Sequence, residues 1–214
     1  MGCFAKGCLT LLVLGFFLVA VVVGGGWFFY KKTFNRLTST EPGDVRIEAP
    51  SPDQIKSAQS SLDRMNEAIA RNEETTVPFT GPELTVLLSR EPDLNFLRDR
   101  CRIDIANSIM TVTLSAPLDA LPWPGLKGRW FNGTVRLGLR YSGDDFDVDI
   151  KSIEANGYEF PNAFLTSFDS AFTDSMNKGF HNELRQNDRG NELWDHVKSI
   201  TLEGDKALIT TKRR

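Results

Sequence analysis

The chain has 214 residues, 41% of them hydrophobic and 25% charged, with 28 acidic against 25 basic side chains for a formal charge of −3. That composition excludes a wholly disordered chain, a collagen-like fibre and a polytopic membrane protein, and without a basic excess nothing recruits nucleic acid. Of the three cysteines only Cys101 lies in the body, so no internal disulfide staples a domain, and two histidines are too few for a His-rich metal site.

Residues 1–8 form a short N-terminal tail. From Leu9 to Tyr30 the sequence is almost unbroken apolar, with Thr10 the one clearly polar side chain. As a helix this run spans roughly 33 Å, enough for a hydrocarbon core of about 30 Å. Trp27, Phe28, Phe29 and Tyr30 then sit where an aromatic belt belongs, and Lys31 and Lys32 follow at headgroup depth. A cleaved signal peptide has a shorter apolar core and a small-residue cleavage site, whereas this run exits through Gly-Trp-Phe-Phe-Tyr-Lys-Lys. Residues 9–30 therefore read as a single transmembrane helix. Lys6 stands where N-myristoylation wants Ser or Thr; Cys3 and Cys8 are either S-acylated or ordinary membrane-end cysteines. Lys31, Lys32 and Arg36 after the span, against Lys6 and the amino terminus before it, lean the charge count toward a cytoplasmic body by about one charge.

Residues 31–51 are polar, carry Pro42, Gly43 and Pro50, and read as a tether to a soluble domain over 52–214. Ser51 caps a helix over 52–72 with Pro52 at its first position. Ile55, Ala58, Leu62, Met65 and Ile69 give it an a/d stripe, which either packs on its own domain or makes a self-associating stalk. A second helix starts at Thr80-Gly81-Pro82-Glu83, which has capping-box spacing, with Leu84, Val86, Leu87 and Leu88 as its buried side and Glu91-Pro92 at its end. Asp93 to Asp99 adds one further helical turn.

The period then changes to two. Ile103 and Ile105 alternate with polar neighbours, and after a turn at Asn107-Ser108 so do Met110, Val112 and Leu114. Phe131, Val135, Leu137, Leu139 and Tyr141 repeat the pattern, with Gly133 marking a bulge or a close approach. Ser142-Gly143-Asp144 turns the chain into Phe146, Val148 and Ile150, opposite Asp145, Asp147 and Asp149. Such alternation with short turns predicts antiparallel strands, apolar on one face. Pro161 opens a helix with Phe164, Leu165, Phe168, Phe172, Met176 and Phe180 on one stripe; a short helix over Asp188 to Val197 and a hairpin of Ile200, Leu202, Leu208 and Ile209 around Gly204-Asp205 complete the chain. The expectation is an α+β fold: one antiparallel sheet of about six strands covered by amphipathic helices.

Sites of chemistry are sparse. Asp145, Asp147 and Asp149 share a strand face, but side chains about 7 Å apart on a flat strand do not converge on one ion, and an EF-hand loop starting at Asp145 lacks its glycine and glutamate. His181 and His196 are the candidate proton shuttles; Cys101 lies between Arg100 and Arg102, which would lower a thiol pKa, but with no His partner nearby in sequence it reads rather as a small core or edge residue. No nucleophile elbow, zinc-protease helix, phosphate loop or Cys-x-x-Cys is present. The Asn132-Gly133-Thr134 sequon falls inside a predicted strand. Ala116 to Leu126 carries Pro117, Pro122 and Pro124 among apolar Leu118, Leu121, Trp123 and Leu126. A loop of that kind folds onto the core, rims an apolar cleft or touches the bilayer. The phenylalanine stripe poses the same choice between core and groove.

The order of these features, with Thr80, Glu83, Leu84, Thr85, Leu87 and Leu88 as Thr-x-x-Glu-Leu-Thr-x-Leu-Leu, the strand Phe131-Asn132-Gly133-Thr134-Val135 and an Asn-Gly-Tyr-x-x-Pro segment at 156–161, resembles the uncharacterised, membrane-anchored bacterial proteins of the YpmS-like group. More remotely it resembles tubular lipid-binding (TULIP-like) domains, over about residues 75–180. The resemblance implies an extracytoplasmic domain that holds or hands over lipid, and it brings no catalytic set. Together these readings predict a single-pass cell-membrane protein of the envelope, without enzymatic activity or cofactor. Its apolar ligand, a lipid, would lie among Leu121, Trp123, Leu126, Phe164, Phe168, Phe172 and Met176. The alternative is a membrane-tethered scaffold or assembly subunit that forms homo-oligomers through the 55–69 stripe.

Overall fold

The computed structural model describes residues 35–44, 50–90, 98–119, 127–142, 145–160, 165, 173, 174, 177, 178, 181 and 194–213. The transmembrane run 9–30 lies outside them; among the described residues no helix is long and apolar enough to cross a membrane.

One antiparallel sheet, of eight strands among the described residues, organises the chain. Helix α1 (Pro52–Ala70) leads into β1 (Thr76–Thr80), α2 (Gly81–Arg90), β2 (Cys101–Ala106), β3 (Ile109–Pro117), β4 (Trp130–Ser142), β5 (Asp145–Ala155), β6 (Tyr158–Glu159), β7 (Val197–Glu203) and β8 (Lys206–Thr211). Eight strands replace the expected six. The six predicted strands are present, and the two additions have recognisable reasons. In β1, Pro78 cannot donate to a ladder, which hides a strand by pattern but is tolerated at a sheet edge; its neighbours Val77 and Phe79 are 2% and 1% exposed. β6 is only two residues, returned on β5 by an Asn156-Gly157 turn with both residues at positive φ. A third correction concerns Val197, which begins β7 rather than ending a helix; of that predicted helix Trp194 is helical, and 188–193 lie outside the described residues.

The spine of the sheet is the 13-residue β4. One of its edges pairs with β5 from Gly133 to Ser142. The other is shared: β3 takes Trp130 to Leu137, and β7 takes Arg140 to Ser142. The β2–β3 and β7–β8 hairpins therefore meet tip to tip along one edge. Ser108 N donates to the Gly204 carbonyl at 2.8 Å, and Gly204 N to Ser108 Oγ at 3.0 Å. β8 carries β1, and α2 crosses from β1 to β2, so the sheet curls toward a barrel.

The registers sort every strand into two faces. Ile103, Val112, Val135 and Ile153 form one transverse apolar row, and Ile105, Met110, Leu137 and Ile150 the next. A third runs Val77, Ile209, Ile200, Tyr141, Phe146 across five strands. The opposite face carries Arg102, Thr113, Thr134 and Glu154. Asp145, Asp147 and Asp149 also point outward, with Asp145 bound to His181 and Asp149 paired with Lys151, and no metal-ligand cluster occurs among the described residues.

The predicted Ser51 cap and the predicted Thr80–Glu83 capping box both form, and the first is a capping box too. Ser51 and Gln54 exchange bonds at the start of α1, and Glu83 Oε2 accepts from Thr80 N at 2.7 Å at the start of α2. The α1 stripe is used inside the domain: Met65, with Leu62 and Ile69, packs against Val77 and Phe79 of β1, Leu84 and Leu87 of α2, and Ile209. On α2 the expected buried side was drawn too apolar. Glu83 and Thr85 are buried together with Val86, while Leu84, Leu87 and Leu88 are half-buried. α2 is wedged between α1 and β2, and its buried polar groups fasten it on both sides.

Candidate functional site

On the apolar face the transverse rows are covered unevenly. Their outer members, Ile103 and Ile105 on β2 and Ile150 and Ile153 on β5, are each 9% exposed or less. Of their central members Val112 on β3 and Val135 and Leu137 on β4 are half-buried, as are Leu114 and Leu139 of the adjoining rows, whereas Met110 is 9% exposed and Tyr141 1%. The cause is where the helices stand. Leu84 and Leu88 of α2 lean over β2 from one side. From the other side Leu165, with Phe131, Phe146 and Phe160, packs on Val148, Ile150 and Ile153. Among the described residues the middle strands between these two covers form the floor of an apolar trough, its Val112, Leu114, Val135, Leu137 and Leu139 packed against the clusters on either side. Burying a Val or Leu side chain completely is worth about 1.5–3 kcal/mol, so this floor keeps part of that stabilisation in reserve. Gly133 interrupts the next row, where a Cβ would collide with the Glu154 carbonyl, so the predicted close approach is present.

Each cover is bolted to the strand edge beneath it. At the β2 edge, Thr85 Oγ1 accepts from Ile103 N at 2.9 Å and donates to the Gly81 carbonyl at 3.0 Å. A Cβ on Gly81 would stand 2.5 Å from the Ile103 carbonyl oxygen and 2.8 Å from Asp104 Cα, so only glycine lets the helix come so near. Glu83 ties the far side of α2 to α1, accepting from Ser57 Oγ at 2.5 Å and from Ser61 Oγ at 3.3 Å. Burial by itself raises this carboxyl group's pKa, but the bonds from Ser57, from Thr80 and from Ser61 outweigh that and hold it below the ordinary value.

At the β5 edge the fasteners come from the helical positions Thr173, Asn177 and His181, four residues apart. Asn177 Nδ2 donates to the Phe146 carbonyl at 2.9 Å and its Oδ1 accepts from Phe146 N at 2.8 Å, as a neighbouring strand would. Thr173 Oγ1 donates to the Val148 carbonyl at 3.3 Å, and His181 Nε2 lies 2.9 Å from Asp145 Oδ1. Tyr141, Phe146 and Trp194 close this end with ring centroids 4.9–5.7 Å apart.

At the Phe131 end of the sheet a segment predicted to be part of a tether crosses the opposite face, where Asn132 and Ser115 stand. Residues 35–44 are docked on the sheet instead. Ser39 and Trp130 exchange two backbone bonds, at 2.9 and 2.8 Å. Arg129 Nε donates to Thr38 Oγ1 at 2.8 Å, and its Nη2 to the Thr38 carbonyl at 2.9 Å and to Asn35 Oδ1 at 3.2 Å. Asn132 Oδ1 accepts from Gly43 N at 2.8 Å and from Ser115 Oγ at 2.8 Å, while its Nδ2 donates to the Glu41 carbonyl at 3.0 Å. The amide of the Asn132 sequon is thus a fastener.

Of the predicted groove residues, Leu121, Trp123, Leu126, Phe164, Phe168, Phe172 and Met176 all lie outside the described residues. Their surroundings are described: Leu118 N donates to the Arg129 carbonyl at 2.8 Å and Gly128 N to Asp119 Oδ1 at 2.8 Å, closing the base of the 120–126 loop. The floor residues were legible as apolar strand positions, and only the placement of the covers makes them a trough. Cys101 is a core residue, 5% exposed, and burial pushes its thiol up to about 11 in spite of the flanking arginines. Arg100 lies over the Trp130 ring, 4.8 Å from its centroid, and Arg102 pairs with Asp104. Among the described residues His196 Nδ1 is buried without a hydrogen-bond partner.

No family model matches the chain, and neither does any curated protein or any solved structure.

Proposed function

We propose that the protein is a single-pass, membrane-anchored, non-enzymatic envelope module that holds an apolar ligand, a lipid acyl chain, in the trough between α2 and the Leu165–His181 helical positions. The observation that carries this reading is the half-burial of Val112, Leu114, Val135, Leu137 and Leu139 within rows whose outer members are buried. Apolar side chains aligned along two neighbouring strands and only half-covered among the described residues are what an apolar ligand needs. From Phe131 to Leu139 the floor runs about 26 Å along β4, longer than the roughly 15 Å of hydrocarbon in one bilayer leaflet, so an extended acyl chain fits within it. The likeness to lipid-holding envelope domains supports an extracytoplasmic placement for the module.

The test uses the full chain purified in detergent, followed by native mass spectrometry and extraction of bound lipid. The wild type is expected to retain lipid in stoichiometric amount. Val135→Lys, in mid-floor, loses that lipid, whereas Lys127→Ala, on an exposed turn, keeps it. Equal lipid on wild type and Val135→Lys, with circular dichroism showing both folded, removes the trough as a binding site.

A further inference from the structure

We infer that residues 35–44 are a strap that holds one end of the sheet, the end carrying Arg129, Trp130, Asn156 and Tyr158, against the lipid headgroups of the bilayer. This rests on the reading of residues 9–30 as a membrane span and is independent of what the trough binds.

The first argument is reach. The apolar run ends at Tyr30, and Asn35 is already hydrogen-bonded to Arg129. Five residue steps separate them, at most about 18 Å even when fully extended. From Trp130 to Ser142, β4 runs about 40 Å at the usual strand rise, so the two ends of the spine are not equally able to touch the bilayer. The second argument is the fastening. A free polar linker would let the domain tumble, yet this one is held at Ser39, Thr38, Glu41 and Gly43 by Trp130, Arg129, Asn132 and Ser115. Asn156 Nδ2 adds a bond to the Arg36 carbonyl at 3.2 Å, and the Arg36 guanidinium lies 6.0 Å from the Tyr158 ring centroid. The pose is therefore built into the domain.

The surface has headgroup chemistry. Strap and sheet enclose a shallow polar depression lined by Asn35, Thr38, Ser39, Thr40, Arg129 and Asn156. Arg36, Arg100, Lys127 and Arg129 are balanced by Glu41, Asp44, Asp119 and Glu159 on the same segments. Such a surface suits the mixed charges and carbonyls of the interface, and it gains nothing special from anionic lipid. Both stems of the loop that carries Leu121, Trp123 and Leu126 also leave from this end. The strap thus brings the Phe131 end of the trough to the membrane surface, the place from which a lipid would enter.

The full chain with Cys3→Ser and Cys8→Ser, the buried Cys101 retained, is reconstituted in phosphatidylcholine vesicles. A fluorophore is attached at Lys127→Cys or Glu41→Cys, and in separate samples at Ser142→Cys or Asp205→Cys. Nitroxide-headgroup lipid is expected to quench the first pair several-fold more strongly than the second. Exchanging part of the lipid for phosphatidylglycerol, or raising the salt, leaves that ratio unchanged. Joint Arg129→Ala and Asn132→Ala substitution removes the side-chain bonds to Asn35, Thr38, Glu41 and Gly43 and brings the ratio toward one, with circular dichroism and co-flotation retained. Equal quenching of both pairs in a chain that floats with the vesicles overturns the inference alone. A ratio that survives the double substitution overturns the strap. Failure to float overturns the membrane span and this inference with it.

Discussion

The β2 edge and the β5 edge of the sheet face the same problem, a row of backbone groups without a partner strand, and they meet it with different materials. At β2 the partner is Thr85, buried, on a helix that Gly81 allows to sit directly on the strand and that Glu83 ties to α1 behind it. At β5 the partner is Asn177, part-buried, helped by an exposed His181–Asp145 contact. The first is a closed joint in which a missing bond strands a buried donor. In the second, water can replace what is lost. A sheet edge is therefore as costly to disturb as its cover is dry.

The harshest way to break the β2 joint is Gly81→Val. Its side chain meets backbone atoms of Ile103 and Asp104 rather than a yielding side chain. The expected loss is about 3 kcal/mol, the upper end for overpacking, read as a lower urea midpoint. The contrast between the joints is sharpened by Thr85→Val beside Asn177→Ala. Thr85→Val leaves Ile103 N–H buried and unpaired, at a cost of about 1–3 kcal/mol. Asn177→Ala loses two bonds at an edge open to water and costs about 1 kcal/mol, with more self-association through the uncovered Phe146 groups. If urea midpoints put Asn177→Ala at or beyond Thr85→Val, the contrast in dryness is wrong.

The smallest effect is in pH. Glu83 has its folded pKa below the ordinary value of 4.5, so its contribution is complete above that value and is lost as pH falls through the folded one. Wild-type stability should therefore decline on acidification below about pH 4.5. Glu83→Gln, which has no carboxylate to protonate, should be less stable at neutral pH and show a shallower acid limb. Parallel curves for the two proteins would remove Glu83 from the acid response.

Strands with a clean period were legible in the sequence, and so were the turns and caps that depend on local chemistry. Ile103/Ile105 and Met110/Val112/Leu114 alternate without interruption around Asn107-Ser108, both at positive φ in the structure. Thr80 and Glu83 stand three apart because a helix start requires it. β1 was hidden because Pro78 breaks the pattern although its edge position tolerates it. The fasteners were hidden for another reason. Asn132 binds Gly43 across 89 positions and Thr85 binds Ile103 across 18, and no periodicity reports a bond between segments that meet only in three dimensions. The trough was hidden because it is defined by how far the covers reach among the described residues, and that depends on where α2 and the Leu165–His181 positions stand.

The pairing of β1 with β8 has a consequence in time. Thr76 meets Thr210 across 134 positions of sequence, so the first strand waits while nearly all of the remaining chain is synthesised. At about 5–20 residues per second, that wait is roughly 7–27 s. For that interval Val77 and Phe79, among the most deeply buried side chains of the finished protein, have no β8 to lie beside. α1 and α2 are made just before and just after β1, and both pack against it. They are the parts available to shield it until the last strand arrives.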